Sequence, residues 1–413
     1  KRYTPRMLDT NQGRLSGLVV LDVAGESGLF CGRMLAELGA ETIKVEDPKG
    51  DAYRRRGPWL ESNDGDLEAS LYHLHYNVNK KGITLNLETE EGRGLFRKLS
   101  TVADIIIETA TPGEFDTKDI GYEKLSQGNP NLLYTTITPF GQTGERRHWK
   151  GNALTTAAMS GLLYLNGLPE EPPNQPAAEQ SYHMASLVGA WGTLIALQDR
   201  FNTGQGSRID VSIQEAASMA TVQTANPNFY TWHKQIPTRG GMRHFGSRHL
   251  YLCKDHKWVS ISIRPVRWTE FAHWLKEEGV TPDLTGDEWT DPFYRRDHQN
   301  EIELAHADLA GKYNRDELVE LGQSKRMLMV PVNQVNELSE HTQLRERGFF
   351  QDVTYEEVGR VLEHPGPAYQ FSKTTPSSYV RAPRVGEHNS EIFTKYLKLG
   401  DADLRNLRDR GVI

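Results

Sequence analysis

The stretch LVVLDVAGESGLFCGRMLAELGAETIKVE, residues 18–46, decides the fold class. Leu18-Val-Val-Leu-Asp-Val23 is a short apolar run with strand character. Ala24-Gly-Glu-Ser-Gly28 is a turn, and Leu29 to Leu38 has the apolar spacing of a helix. Gly39 stops that helix, and Glu41-Thr-Ile-Lys-Val-Glu46 reads as a second strand. Strand, glycine-containing turn, helix and strand make one βαβ unit with a parallel pair. The pattern recurs downstream. Gly92 to Thr101 reads as a helix, with strands at Ala103-Asp-Ile-Ile-Ile-Glu108 and Leu132-Leu-Tyr-Thr-Thr-Ile137. The expectation is a doubly wound α/β layer whose ligand crevice lies at the carboxyl ends of its strands.

Outward from this core, Leu187 to Phe201 predicts a long apolar helix closed by Asn202-Thr-Gly-Gln-Gly206. Arg208 to Ile213 predicts a strand and Glu215 to Gln223 a helix. A Pro/Gly-rich linker, Asn226 to Gly246, leads to a second unit. Its strands are expected at Leu250 to Cys253 and Trp258 to Ile263, and its helices at Trp268 to Glu277 and Asn300 to Lys312. After Pro331 a turn-rich stretch runs to Pro383, and a charged helix ends the chain. No internal repeat or heptad array is present.

The 413 residues suggest two or three domains. A hydrophobic share of 37% supports sizeable cores. No apolar run approaches the roughly 20 residues that span a bilayer, and Lys1 to Gln12 does not read as a signal peptide. A net charge of −7 without a basic block argues against nucleic acid as a partner. Cys31 and Cys253 cannot build a disulfide framework or a cysteine-rich metal site. The class expected is a soluble cytoplasmic protein acting on small molecules, with no metal.

Taken singly, the polar motifs leave their roles open. Ala24–Gly28 could hold a phosphate at a helix N-terminus or be a plain turn, the second being the better reading. Thr111-Pro-Gly113 and Thr138-Pro-Phe-Gly-Gln-Thr-Gly144 are strand-end turns with the same ambiguity. His233, His244, His249 and His256 lack the spacing of a helical metal site and read as linker or surface histidines. Arg54-Arg-Arg56, with Pro58 and Trp59, reads as a solvated basic loop that could also screen an anion. Cys31 reads as a packed residue rather than a nucleophile.

The series of motifs, in order, resembles the family III CoA-transferases. It comprises Gly17–Asp22, Met34–Pro48, Asn77–Asn86, Ala103–Glu108, Pro112-Gly113 and Phe140–Gly144. It continues with Met159-Ser-Gly161, Thr203–Gly206, Asp210-Val-Ser212 and Ala382–His388. The resemblance implies an α/β fold: a large Rossmann-like domain built from both chain ends, with a small α+β domain between. On this expectation residues 1–213 and 346–413 form the large domain, 247–325 the small one, and 214–246 and 326–345 the linkers. It also implies an interlocked dimer. CoA and acyl-CoA would be substrates, with no permanently bound cofactor. An aspartate would attack the thioester, because an ionised carboxylate is nucleophilic and leaves well once acylated.

The departures from the family pattern set the expectation for this chain. Counting back without gaps from Ala196-Leu197, the nucleophile position falls on Tyr182, a phenol neutral at physiological pH. The nearest carboxylate, Glu179, is a weaker alternative nucleophile. The arginine that holds CoA phosphate falls on Thr117, beside Lys118, and the asparagine after the strand falls on Thr109, followed by Ala110. The family's glutamine in the first strand-end loop falls on Glu26, which Ser27 follows, and the Glu26 carboxylate would repel a phosphate or an acyl carboxylate. Lys80 and Lys81 are further possible phosphate donors. The glycine-rich flap corresponds loosely to Gly240-Gly241 and Gly246. A racemase acid/base pair would fall on Asn152 and on Ser181 or Tyr182, which do not suit proton transfer.

The resemblance is to heteromeric members of the family. It implies a homologous partner subunit bearing the aspartate, succinyl-CoA as donor, and an aromatic acid such as benzylsuccinate as acceptor. The alternatives are a homodimeric enzyme using Glu179, or a non-catalytic CoA-ester binding protein.

Overall fold

A computed structural model of the chain describes residues 13–60, 65–167, 170–221, 249–356, 359–373 and 379–413, with Tyr230, Lys234 and Ile236. His233, His244, Gly240-Gly241, Gly246 and most of the linker expected at 226–246 lie outside the described residues, as does the segment Lys1–Gln12.

Six parallel strands form the main sheet: β1 (Val19–Val23), β2 (Glu41–Glu46), β3 (Lys81–Thr84), β4 (Ile105–Glu108), β5 (Leu133–Thr138) and β6 (Ser207–Ser212). Their spatial order is β3-β2-β1-β4-β5-β6. β1 pairs with β2 on one side and with β4 on the other, Val20 lying opposite Thr42 and Ile105. The strand order therefore reverses between β1 and β4, which opens a crevice beyond their carboxyl ends.

Both sheet faces are buried, which explains the apolar runs in the strands. One face gathers Leu21, Ile43, Ile106 and Tyr134 with Leu95, Phe96 and Leu99 of α3 (Glu90–Ser100). Ile392, Phe393, Leu404 and Leu407, from the terminal helices Asn389–Leu397 and Asp401–Asp409, join the same cluster. The C-terminus thus packs onto the N-terminal sheet. The other face gathers Val20, Ile105, Ile107 and Ile137 with α1 (Leu29–Glu37) and α8 (Gln180–Thr203). Gly189 lets α8 lie close, since a β-carbon there would stand 2.9 Å from Ile137 Cδ1 and 3.4 Å from Cys31 Sγ. Cys31 is fully buried, and burial pushes its thiol far above the ordinary range, so it packs rather than reacts.

The chain divides into two compact units, residues 1–237 with 349–413, and residues 238–348. The second has a three-stranded antiparallel sheet, β7 (Leu250–Leu252), β8 (Trp258–Ser262) and β9 (Leu328–Pro331). Its own core includes Trp268, Phe271, Trp274 and Leu309. No described helix is long and apolar enough to cross a membrane.

Several sequence expectations need correction. α8 begins at Gln180, seven residues before Leu187, because its polar first turns are held by tertiary contacts. The stretch expected to be turn-rich contains the hairpin β10 (Phe350–Tyr355) and β11 (Arg360–Pro365). Its alternating burial is too short to stand out from polar loop sequence. Two helices, not one, end the chain. The basic run is not wholly solvated: Arg54 is fully buried, with Nη2 2.7 Å from Glu46 Oε1 and Nε 2.7 Å from Oε2.

Candidate functional site

The crevice begins with a buried polar floor under the loop that follows β1. Asp22 pairs with Lys80 Nζ at 2.7 Å, both side chains fully buried. Lys80 also donates to Leu29 O and Asn77 Oδ1, each at 3.0 Å. Lys44 Nζ donates to Ala24 O at 2.7 Å. Lys80 is committed beneath the loop and is therefore not a free phosphate donor. Lys81 pairs with Glu41 and Glu391.

Three of the loop's backbone amides are already engaged. The Ala24 amide donates to Asp22 Oδ1 at 3.0 Å, that of Gly25 to Thr109 Oγ1 at 2.8 Å, and that of Gly28 to Gly25 O at 3.0 Å. This is a turn with three of its amides already engaged, so the plain-turn reading fits better than a phosphate cradle. Ser27 is tied to α8, its carbonyl accepting from Ser186 Oγ at 2.9 Å.

Thr109 therefore fastens the β4 loop to the β1 loop across the switch point. The Ala110 amide donates to Glu108 Oε2 at 2.5 Å. Burial pushes the Glu108 carboxyl up to about 8 despite that bond. Thr117 Oγ1 donates to Glu114 O, and Lys118 Nζ is shared by Glu88 at 2.8 Å and Glu114 at 2.9 Å. Neither presents a guanidinium-like fork to a phosphate.

Arg56 joins Glu26 and Glu179, and Tyr182 lies within reach of their charges. Arg56 Nη2 donates to Glu179 Oε1, and its Nη1 lies 3.6 Å from Glu26 Oε1. The guanidinium carbon stands 4.4 Å from the Tyr72 ring centroid. Burial opposes the Arg56 charge, but the bond to Glu179 holds its pKa above the ordinary value. Tyr72 and Tyr76, one turn apart on α2 (Leu71–Tyr76), have ring centroids 4.7 Å apart. Tyr76 Oη and His183 Nε2 lie at 2.7 Å, and Phe30 packs edge-on to both rings.

Tyr182 is half-buried on the first turn of α8. Burial, then the Glu26 charge, raises its phenol further above 10, against a bond from the Ala153 backbone, so it stays protonated at neutral pH. The racemase positions serve local structure. Asn152 caps α6 (Ala153–Met159) in a capping box with Thr155, and Ser181 Oγ donates to Ala153 O at 2.9 Å.

Sequence reasoning missed Tyr72, Tyr76 and His183 and read Arg56 as part of a solvated loop that could also screen an anion. No spacing signal marks them, because they converge from α2, α8 and the loop before α2. Among the described residues no cluster of His, Cys, Asp or Glu could hold a metal ion.

Comparisons agree with this architecture. Residues 15–389 match CoA-transferase family III. The chain is 36% identical over 385 residues to succinyl-CoA:(R)-benzylsuccinate CoA-transferase subunit BbsE of Thauera aromatica, covering 91% of this chain and 92% of that protein. It is 32% identical to the succinyl-CoA–L-malate CoA-transferase alpha subunit of Chloroflexus aurantiacus, covering 97% and 92%. The crystal structure of a CAIB/BAIF family protein from Brucella suis superposes with a TM-score of 0.81 at 25% identity, covering 93% of this chain and all of that one. The chain belongs to CoA-transferase family III, whose enzymes take CoA thioesters as substrates.

Proposed function

We propose that this chain is one subunit of a heteromeric family III CoA-transferase that works in the cytoplasm. It would move CoA from succinyl-CoA to a carboxylic acid of the benzylsuccinate type, with a homologous partner supplying the nucleophilic aspartate. The partner's carboxylate attacks the thioester carbonyl, giving a mixed anhydride and CoA thiolate. The thiolate returns to the aspartyl carbonyl and releases the first acid. The acceptor carboxylate then attacks the aspartyl thioester, expelling thiolate, which closes on the new anhydride and regenerates the aspartate. The observation carrying the reading is Tyr182, a neutral phenol at the position the ungapped count assigns to the nucleophile. The names of two relatives, each a subunit of a CoA-transferase, support it.

In this reading the subunits interlock, and no cofactor is held permanently. Native mass spectrometry of protein purified from its host, with turnover assays of the complex and of this chain alone, tests it. The expected result is a complex with a paralogue carrying the aspartate, and no turnover by this chain alone. A pure homodimer exchanging CoA at ordinary enzymatic rates overturns it.

One observation favours a second reading. Glu179 lies at the same crevice as Glu26 and Tyr182, with its carboxylate paired to Arg56. If Glu179 is the nucleophile, hydroxylamine traps an acyl adduct on this chain, and Glu179→Gln abolishes both adduct and turnover.

A further inference from the structure

The Arg56 guanidinium is only partly satisfied. Among the described residues its hydrogen bond runs from Nη2 to Glu179, and Nε and Nη1 donate to none of them. The Glu26 carboxylate at 3.6 Å is an ion contact beyond hydrogen-bond range. Both side chains are about two-fifths exposed, 40% for Arg56 and 42% for Glu26. Glu179, at 19%, is the better buried of the two carboxylates. The guanidinium plane is steadied by Tyr72, and the partly exposed rings of Phe30, Tyr72 and His183 form an aromatic border.

From this geometry we infer that the crevice of this chain is a receptor for a free carboxylic acid bearing an aromatic or other apolar group, with Arg56 as its anchor and Glu26 as a placeholder. The inference rests on the reading that this chain does no thioester chemistry of its own. An incoming carboxylate takes the place of Glu26 at Nη1, accepting a charge-assisted hydrogen bond from the guanidinium. Glu26 swings into water, so one carboxylate replaces another and the local charge is unchanged. Glu179 stays behind Arg56 and keeps the fork oriented. The apolar group of the acid lies against the aromatic border. A CoA thioester is disfavoured here, because its phosphates find no fork at Thr117 or Lys118.

Calorimetry on the purified full-length chain tests this, with 2-benzylsuccinate and succinate as probes. The wild type should bind 2-benzylsuccinate more tightly than succinate, and CoA should not compete. Arg56→Ala should weaken 2-benzylsuccinate roughly tenfold to a hundredfold, the scale of a lost charge-assisted pair. Arg56→Lys, which keeps the charge but not the fork, should fall between. Glu26→Gln should tighten binding by about threefold, the scale of a competing exposed ion pair. Thermal melts of the variants check that each is folded. No wild-type binding, an undiminished folded Arg56→Ala protein, or equal or weaker binding by Glu26→Gln overturns the inference. The partner reading fails separately, through turnover by this chain alone.

Discussion

Arg54 and Arg56 stand two residues apart and do unlike work. Arg54 is buried with both guanidinium edges engaged, by Glu46 and, at 2.9 Å, by Glu68. Removing it leaves Glu46 buried without its partner, so Arg54→Ala should cost about 3–5 kcal/mol. Urea unfolding would read this as a lowered midpoint, and a loss under about 1 kcal/mol would show that water reaches the Glu46 carboxylate. Tyr182 makes the opposite case. If its phenol carries no chemistry, Tyr182→Phe should leave transferase activity of the native complex within a few-fold. A loss of about a thousandfold, the scale of deleting a catalytic group, would place the hydroxyl in the reaction.

At the scale of elements, the C-terminal hairpin is fastened to α1 through a buried ion pair flanked by imidazoles. Arg33 Nε pairs with Glu37 at 2.7 Å, and other Arg33 nitrogens reach His75 and Pro365 O of β11. Burial and the Arg33 charge hold His75 down at about 3 and His364 at about 4. Both folded values lie below the ordinary 6.5, so the unfolded chain binds more protons between pH 6.5 and about 4. Stability from these two groups is complete above pH 6.5 and falls as pH drops through that window. Glu108, raised to about 8, gives an opposing slope between the usual carboxylate range and pH 8, so the comparison must be with a variant. From pH 7 to pH 5 the urea midpoint should fall further, or rise less, in the wild type than in His364→Gln, and equal changes would refute the assignment.

For the whole molecule, the charge arrangement around the crevice predicts poor CoA binding by this chain. Thr117 Oγ1 and Lys118 Nζ are engaged by neighbouring oxygens and offer no guanidinium fork, and Glu26 adds a carboxylate to the crevice. A missing charge-assisted hydrogen-bonded pair is worth roughly 1.5–3 kcal/mol, about tenfold to over a hundredfold in affinity. Calorimetry should show no micromolar CoA site on the isolated chain. A tight site would mean that the phosphates have found donors other than Thr117 and Lys118.

What the sequence determined by itself was local. Apolar runs of strand length, the turn at Ala24–Gly28 and the helix after it identify a βαβ unit without any knowledge of partners distant in the chain, because hydrophobic periodicity and turn chemistry act over a few residues. That alternation also puts a crevice at the carboxyl ends of the strands, but the strand order, and with it the switch point between β1 and β4 beside Glu26 and Thr109, comes only from the tertiary structure. The proposed place of Tyr182 at the nucleophile position likewise rests only on a count along the chain. The hairpin at Phe350–Pro365 was not legible in the sequence, because its register and burial come from packing against residues such as Leu74 and Ala382. Nor was the division of labour in Arg54-Arg-Arg56. Burial of Arg54 depends on Glu46 and on Pro383, 329 positions away, and the place of Arg56 depends on Glu179, 123 positions away. A guanidinium has the same composition whether solvated, buried or poised at a crevice, and the carboxylates that the folded chain sets around it decide which it becomes.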